Sequence, residues 1–387
     1  MLGQMKKKRP VLTPSPVQTW SVQSDRVDAS ITDIGGMLAP VRFRLPDGRA
    51  VSPLAVAPWT GEELPEGLPP LLRNLRGDFF CAPFGGNGTP YRGERHPPHG
   101  ETANHRWTLD ATTHAGDAIT LHAHMRTGIR KGRIDKRVTL RKGQTAVYCE
   151  HVLQGYSGRM AIGTHPCIQF PDKEGAARIS VAGWRWGQVL PVEFESPALK
   201  GYSSLRQGAK FRSLGKVPLA RGGYTDLSTY PARRGFEDLV MLIGDGKAPF
   251  GWSAVTFPGE RYVLLQLKNP KVLRHTILWL SNGGRHYAPW NGRHINVLGV
   301  EEVTSYFHLG LAESVRANSL SKVGIPTSVT LSPRTPLRVA TILAVVPIPA
   351  GFDIVESVHA LRGGVEVRSA SGKRARTALD LAFVTGR

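Results

Sequence analysis

The chain has 387 residues, 41% hydrophobic and 21% charged, which places it among ordinary globular proteins with material for a large core. Three well-separated cysteines, Cys81, Cys149 and Cys167, with no CxxC pair, argue against a disulfide framework or a structural zinc site and fit a reducing cytoplasm. The formal net charge of +20, with 35 Arg against 15 Lys, suits an anionic partner, but the basic residues are dispersed and carry no DNA- or RNA-binding signature, so nucleic acid is not expected.

Residues 1–24 open with MLGQMKKKRP and read as a basic arm. Pro, Thr, Ser and Gln follow the charge run, with no apolar h-region, so it does not read as a signal peptide. No run approaches the roughly 18 apolar residues that span a bilayer, and no membrane partner is expected. From residue 25 the pattern is β, punctuated by 43 Gly and 29 Pro that would break long helices. SITDIGGMLAPVRFRLPDGRAVSP predicts a hairpin at Pro-Asp-Gly. DAITLHAHMRTG alternates, with Ile119, Leu121, Ala123 and Met125 on one face and Thr120, His122, His124 and Arg126 on the other. RVTL and TAVYCEHVL flank the turn RKGQ. YVLLQLK, RHTILWLSNGG, HINVLGVEEVTSYF and RVATILAVVPIP read as further strands, and RHTILWL is apolar on both parities, as a strand buried on both faces would be. A short helix is predicted near AESVRANSL. Residues 351–387 read as a C-terminal strand extension, as edge strands or a tail, with RSASGKRART exposed. The whole predicts an all-β protein, one large antiparallel sandwich over 25–387.

Three polar features stand out. His122 and His124 form an HxH that two ligands of one metal could share, but the continuation MRTGIRKG offers no acid within reach in sequence. Two histidines on the polar face of a strand are the plainer reading, and no metal or other cofactor is expected. HPPHGETANH, at 96–105, holds His99 on a loop stiffened by Pro97 and Pro98 and turned at Gly100. A cleft loop and a solvated loop both fit it. His165 precedes Pro166, which forces an extended backbone there. In LGVEEV, Ile295 and Val297 share the parity of Glu301, and Leu298 and Val300 that of Glu302. At least one of these carboxylates should therefore be desolvated, with a raised pKa.

In order along the chain, these pieces resemble the galactose mutarotase-like superfamily, the aldose 1-epimerases and their sugar-binding relatives. TDIGGMLAPVRF with SPLAVAPW resembles the opening hairpin, HPPHGETANHRW the HG motif, IGTHPCIQF the HP motif, FEDLVML the strand with a sugar-binding acid and LGVEEVT the strand of the catalytic Glu. The resemblance implies a β-supersandwich with a sugar cleft. It implies His165 as general acid, Glu301 as general base and His99 as a substrate-binding residue. Glu237 or Asp238 would bind a sugar hydroxyl, and Arg76, Asn104 and Trp290 would line the cleft. The implied partner is a carbohydrate, and the charge points towards a phosphorylated or acidic sugar. Cys167 and Ile168 replace the usual aromatic after HP, which leaves a binding-only protein as the alternative to an isomerase.

Overall fold

The computed structural model describes residues 17–386. Among the described residues, two large antiparallel sheets face each other, one of nine strands and one of eight. The larger contains Ala118–Thr127, Gly132–Arg141, Ala146–Gln154, Gly251–Phe257, Tyr262–Lys268 and Leu337–Pro347. The smaller is built around Phe236–Gly244, His275–Asn282 and Val297–Thr304. The fold is the expected all-β supersandwich.

Apolar side chains fill three layers rather than one. Leu121, Val138, Leu264 and Val345 of the larger sheet meet Val240, Leu278, Leu298 and Val300 of the smaller between the sheets. A second layer covers the outer face of the smaller sheet, where Leu239, Met241, Ile277 and Trp279 pack under loops carrying Trp59, Leu71, Phe79 and Trp290. A third covers the back of the larger sheet, from Val263, Leu265 and Ile342 to Val355, Val365 and Val367. This is why RHTILWL and LGVEEVT have no polar parity: every residue of His275–Asn282 and Val297–Thr304 is buried.

The predicted hairpins form. Leu38–Arg44 turns at Pro46-Asp47-Gly48 to pair with Ala50–Val51, and Gly132–Arg141 pairs with Ala146–Gln154. Leu121, Ala123 and Met125 face the core as the alternation requires. The predicted helix is a single turn, Leu311–Val315. Within the span 1–24 expected as an arm, Thr19–Gln23 is a strand that pairs along its whole length with Val27–Thr32. The KKKR run lies outside the described residues. The C-terminal extension adds no edge strand to either large sheet. Val355–Leu361, Gly364–Ser369 and Arg374–Ala378 form their own three-stranded sheet, which with the helix Ala382–Thr385 lies on the back of the larger one. Among the described residues no helix is long and apolar enough to cross a membrane.

Candidate active site

Glu301 lies on the outer face of the smaller sheet, and strand alternation sends Glu302 to the opposite face. Gly299, two residues earlier, makes room for it: a Cβ there would lie 2.8 Å from Glu301 Oε1 and 3.2 Å from Trp279 Cβ. His165 stands between Ile162–Thr164 and Cys167–Gln169, two short strands that both pair with Val297–Thr304. Its backbone N–H donates to Asp78 Oδ1 at 2.9 Å and to Phe79 O at 3.0 Å. Its imidazole stacks on Phe79, with centroids 4.6 Å apart and planes 17° apart. Backbone pairing and stacking together place His165 Nε2 3.2 Å from Glu301 Oε1.

The third group arrives on the HPPHG loop. His99 has a left-handed backbone, φ 59°, and its N–H donates to Gly85 O at 2.7 Å. Gly100 follows at φ 77°, where a Cβ would fall 2.2 Å from Ala82 O, so only glycine lets the loop lie this close. The His99 ring packs edge-on to His165 at 5.0 Å and to Phe84 at 5.0 Å. His99, His165 and Glu301 line one cavity of about 210 Å³ with Arg285, His308 and Trp290, under a wall that includes Leu71, Leu239 and Phe194.

Burial dominates the electrostatics. It pushes the Glu301 carboxyl well above the usual carboxylate range and pulls His165 down to about 3. It also pulls His308 down to about 4 and His99 well below the ordinary histidine value. Arg285 adds to the effect on His165 and His308 through its charge. That guanidinium lies over Trp290, Phe194 and Trp279 at 4.5, 5.2 and 5.5 Å, and its Nε donates to Glu195 Oε1 at 2.5 Å. Three buried polar atoms of cavity-lining residues have no partner among the described residues: Glu301 Oε2, His99 Nδ1 and His308 Nδ1.

Of the residues singled out in the sequence, the cavity brings together His165, Glu301, His99 and Trp290. The other four lie elsewhere. Asn104 is one layer behind, accepting the Leu71 N–H and donating to Pro98 O and Gly100 O, so it ties the His99 loop to the cavity wall. Arg76 bridges to Val56 and donates to Asn74 O at 3.1 Å, away from the lining. Glu237 shares the outer face with Leu239 but accepts from Trp279 Nε1 at 2.9 Å and Ser281 Oγ at 2.8 Å, so it braces the Trp279 indole. Asp238 points to the opposite face and holds Ser204. Arg285 and His308 were missed. Arg285 sits in NGGRHYAPW and His308 in SYFHLG, loops whose only signal is that each adjoins a strand of the site.

The HxH pair has the acids its own strand lacks. Strand pairing sets Asp110 and Asp135 beside it: His124 Nδ1 lies 2.7 Å from Asp110 Oδ1, and His122 Nε2 lies 2.8 Å from Asp135 Oδ1. Ligand atoms of Asp110, His122 and Asp135 lie within 4.8 Å of one another, the spacing of a metal set. The Arg133 guanidinium already fills that role, donating from Nε and Nη2 to Asp135.

No protein-family model and no curated protein matches the sequence. Solved structures do match in three dimensions. A candidate aldose 1-epimerase from Escherichia coli K12 aligns over 85% of this chain and 99% of its own, at 14% identity and a TM-score of 0.55. The chain has the galactose mutarotase-like fold. A candidate aldose 1-epimerase from Klebsiella pneumoniae aligns over 85% of this chain and 79% of its own, at 12% identity and a TM-score of 0.59. A galactose mutarotase-like protein from Clostridium acetobutylicum aligns over 86% and 98%, at 11% identity and a TM-score of 0.51. At such identities the likeness is one of fold, and the mutarotase-like sandwich is a frame whose chemistry must be argued from its side chains.

Proposed function

We propose that the cavity binds a sugar and interconverts its anomers, the reaction of an aldose 1-epimerase. The observation that carries this reading is the His165–Glu301 contact inside a cavity where Glu301 Oε2, His99 Nδ1 and His308 Nδ1 have no partner among the described residues. A sugar offers hydroxyls to those atoms and C–H faces to Trp290 and Leu239.

Opening a hemiacetal needs a proton on the ring oxygen and removal of the proton from the anomeric hydroxyl. The ring C–O bond breaks as the carbonyl forms. Rotation about the next C–C bond and reclosure give the other anomer, with both protons returned. One residue must donate while another accepts, and the pair carries one proton for that purpose. Imidazolium beside carboxylate and imidazole beside carboxylic acid have the same proton count and differ only in where the proton sits. Burial favours the uncharged arrangement in the free protein, and the polar groups of a bound sugar favour the charged one, with His165 as acid and Glu301 as base. His99 and His308, kept neutral, accept hydroxyl protons. Arg285 is already paired with Glu195, so the cavity gives no unpaired cation to a sugar phosphate. A neutral aldose is therefore the first choice of substrate.

NMR exchange spectroscopy on a panel of aldoses and sugar phosphates tests the proposal. Anomer exchange should accelerate with wild-type protein and return to the spontaneous rate with Glu301→Gln. Spontaneous rates throughout the panel would sink it. Calorimetric binding without acceleration would favour the binding-only alternative.

A further inference from the structure

Cys167 stands where an aromatic usually follows the HP pair, and it lies against the His165 ring. Pro166 keeps this stretch extended, so residues 165 and 167 point to one face of the sheet. Cys167 Sγ is 3.5 Å from His165 Nδ1 and 3.8 Å from the His165 carbonyl oxygen. Its backbone is held on both sides: the N–H donates to Gly77 O at 2.9 Å, and the residue pairs with Gly299. Burial first, and the charges of Glu301 and Asp78 after it, push the thiol well above its ordinary range, so it keeps its hydrogen.

Three hydrogens have to be placed around the uncharged pair: one on the imidazole, one on the thiol and one on Glu301. With the imidazole hydrogen on Nδ1, each finds an acceptor. Nδ1–H donates to Sγ, S–H donates to the His165 carbonyl, and the Glu301 O–H donates from Oε1 to Nε2 across 3.2 Å. With the imidazole hydrogen on Nε2, that N–H takes Oε1. The carboxyl hydrogen must then sit on Oε2, which is buried and has no partner among the described residues. A buried donor left without an acceptor costs more than a weak S–H bond to Nδ1 returns. We propose that Cys167 is a positioning residue that holds His165 as the Nδ1–H tautomer, so that Nε2 alone gives the proton to the sugar ring oxygen and takes it back. The proposal rests on the anomer chemistry above.

Long-range proton–nitrogen NMR on histidine-labelled protein reads the tautomer without any sugar, the His165 signal being assigned by its loss in His165→Gln. Wild type should show Nδ1–H. Cys167→Val removes the sulfur acceptor, and the hydrogen should move to Nε2. The same variant should lower kcat for anomer exchange by about 10–100-fold with KM little changed. Cys167→Ser, which keeps a lone pair and a hydrogen, should retain the wild-type tautomer and most of kcat. Cys149→Val, the same exchange in the inter-sheet core, should change neither. Cys167→Ala takes the place of Cys167→Val if the latter does not fold. An Nε2–H signal in wild type, or Nδ1–H in wild type and Cys167→Val alike, would overturn the proposal. The expected tautomer change without accelerated exchange in wild type would uphold the role of Cys167 in holding the tautomer and overturn the isomerase. Accelerated exchange whose kcat Cys167→Val leaves unmoved would do the reverse.

Discussion

Glu301 and Glu302 are neighbours on one buried strand, and the fold treats them in opposite ways. Glu302 points between the sheets, where Ser253 Oγ and Thr276 Oγ1 each donate to it at 2.7 Å and the Lys268 ammonium closes a buried ion pair. Glu301 points outward into the cavity, where among the described residues His165 is its ion-pair partner and one oxygen has no partner. Both are almost fully buried, so burial does not separate them. Their partners do. A carboxylate answered on every side holds the interior together, whereas one left partly unanswered is available to a ligand.

Substitutions can break that contrast, and the largest effect should be on rate. Glu301→Gln should slow anomer exchange by about 10²–10⁴-fold, the usual worth of a positioned acid or base, while thermal unfolding stays near wild type. Glu302→Gln should do the opposite. It leaves the Lys268 ammonium buried without a counter-charge and should cost about 3–5 kcal/mol of stability, read by urea denaturation. If both variants lose stability alike, the contrast fails. Glu237 sharpens it, since burial raises that carboxyl from 4.5 to about 7. A raised folded value means the native state favours the proton, so the stability this group contributes is present below pH 4.5 and is lost as pH rises through 7. Glu237→Gln removes the loss. Its stability relative to wild type should climb by about 3 kcal/mol across that window and then level off. Asn104→Ala should have the smallest effect, about 1–3 kcal/mol, with faster amide exchange across the His99 loop.

Much of this was readable in the sequence because period-two alternation is local. The hairpins at Pro-Asp-Gly and RKGQ and the double-sided strands needed only neighbouring residues. His99, His165, Glu301 and Trp290 were legible through the order of motifs that resembles one superfamily. The failures share a cause: they depend on which strand lies beside which. Asp135 reaches His122 only through pairing of Ala118–Thr127 with Gly132–Arg141. Choosing between Glu237 and Asp238 needed the knowledge that Leu239 and Trp279 share the site face. Arg285 and His308 come from loops whose paths no periodicity encodes. Asn104 was assigned to the right region and the wrong layer, because its amide could serve a sugar or a backbone equally well.

The three-stranded sheet behind the larger sheet bears on how the protein is made. Synthesis runs from the N-terminus, so Leu337–Pro347 leaves the ribosome before Val355–Ala378. Until then Val263, Leu265, Leu267, Ile342 and Ala344 have no cover. A nascent chain can complete the cavity around Glu301 while this broad apolar face is still bare, the kind of surface that chaperones bind and that sticks to a second copy. The closing segment, none of whose described residues lines that cavity, sets how long the newborn protein is exposed to that risk.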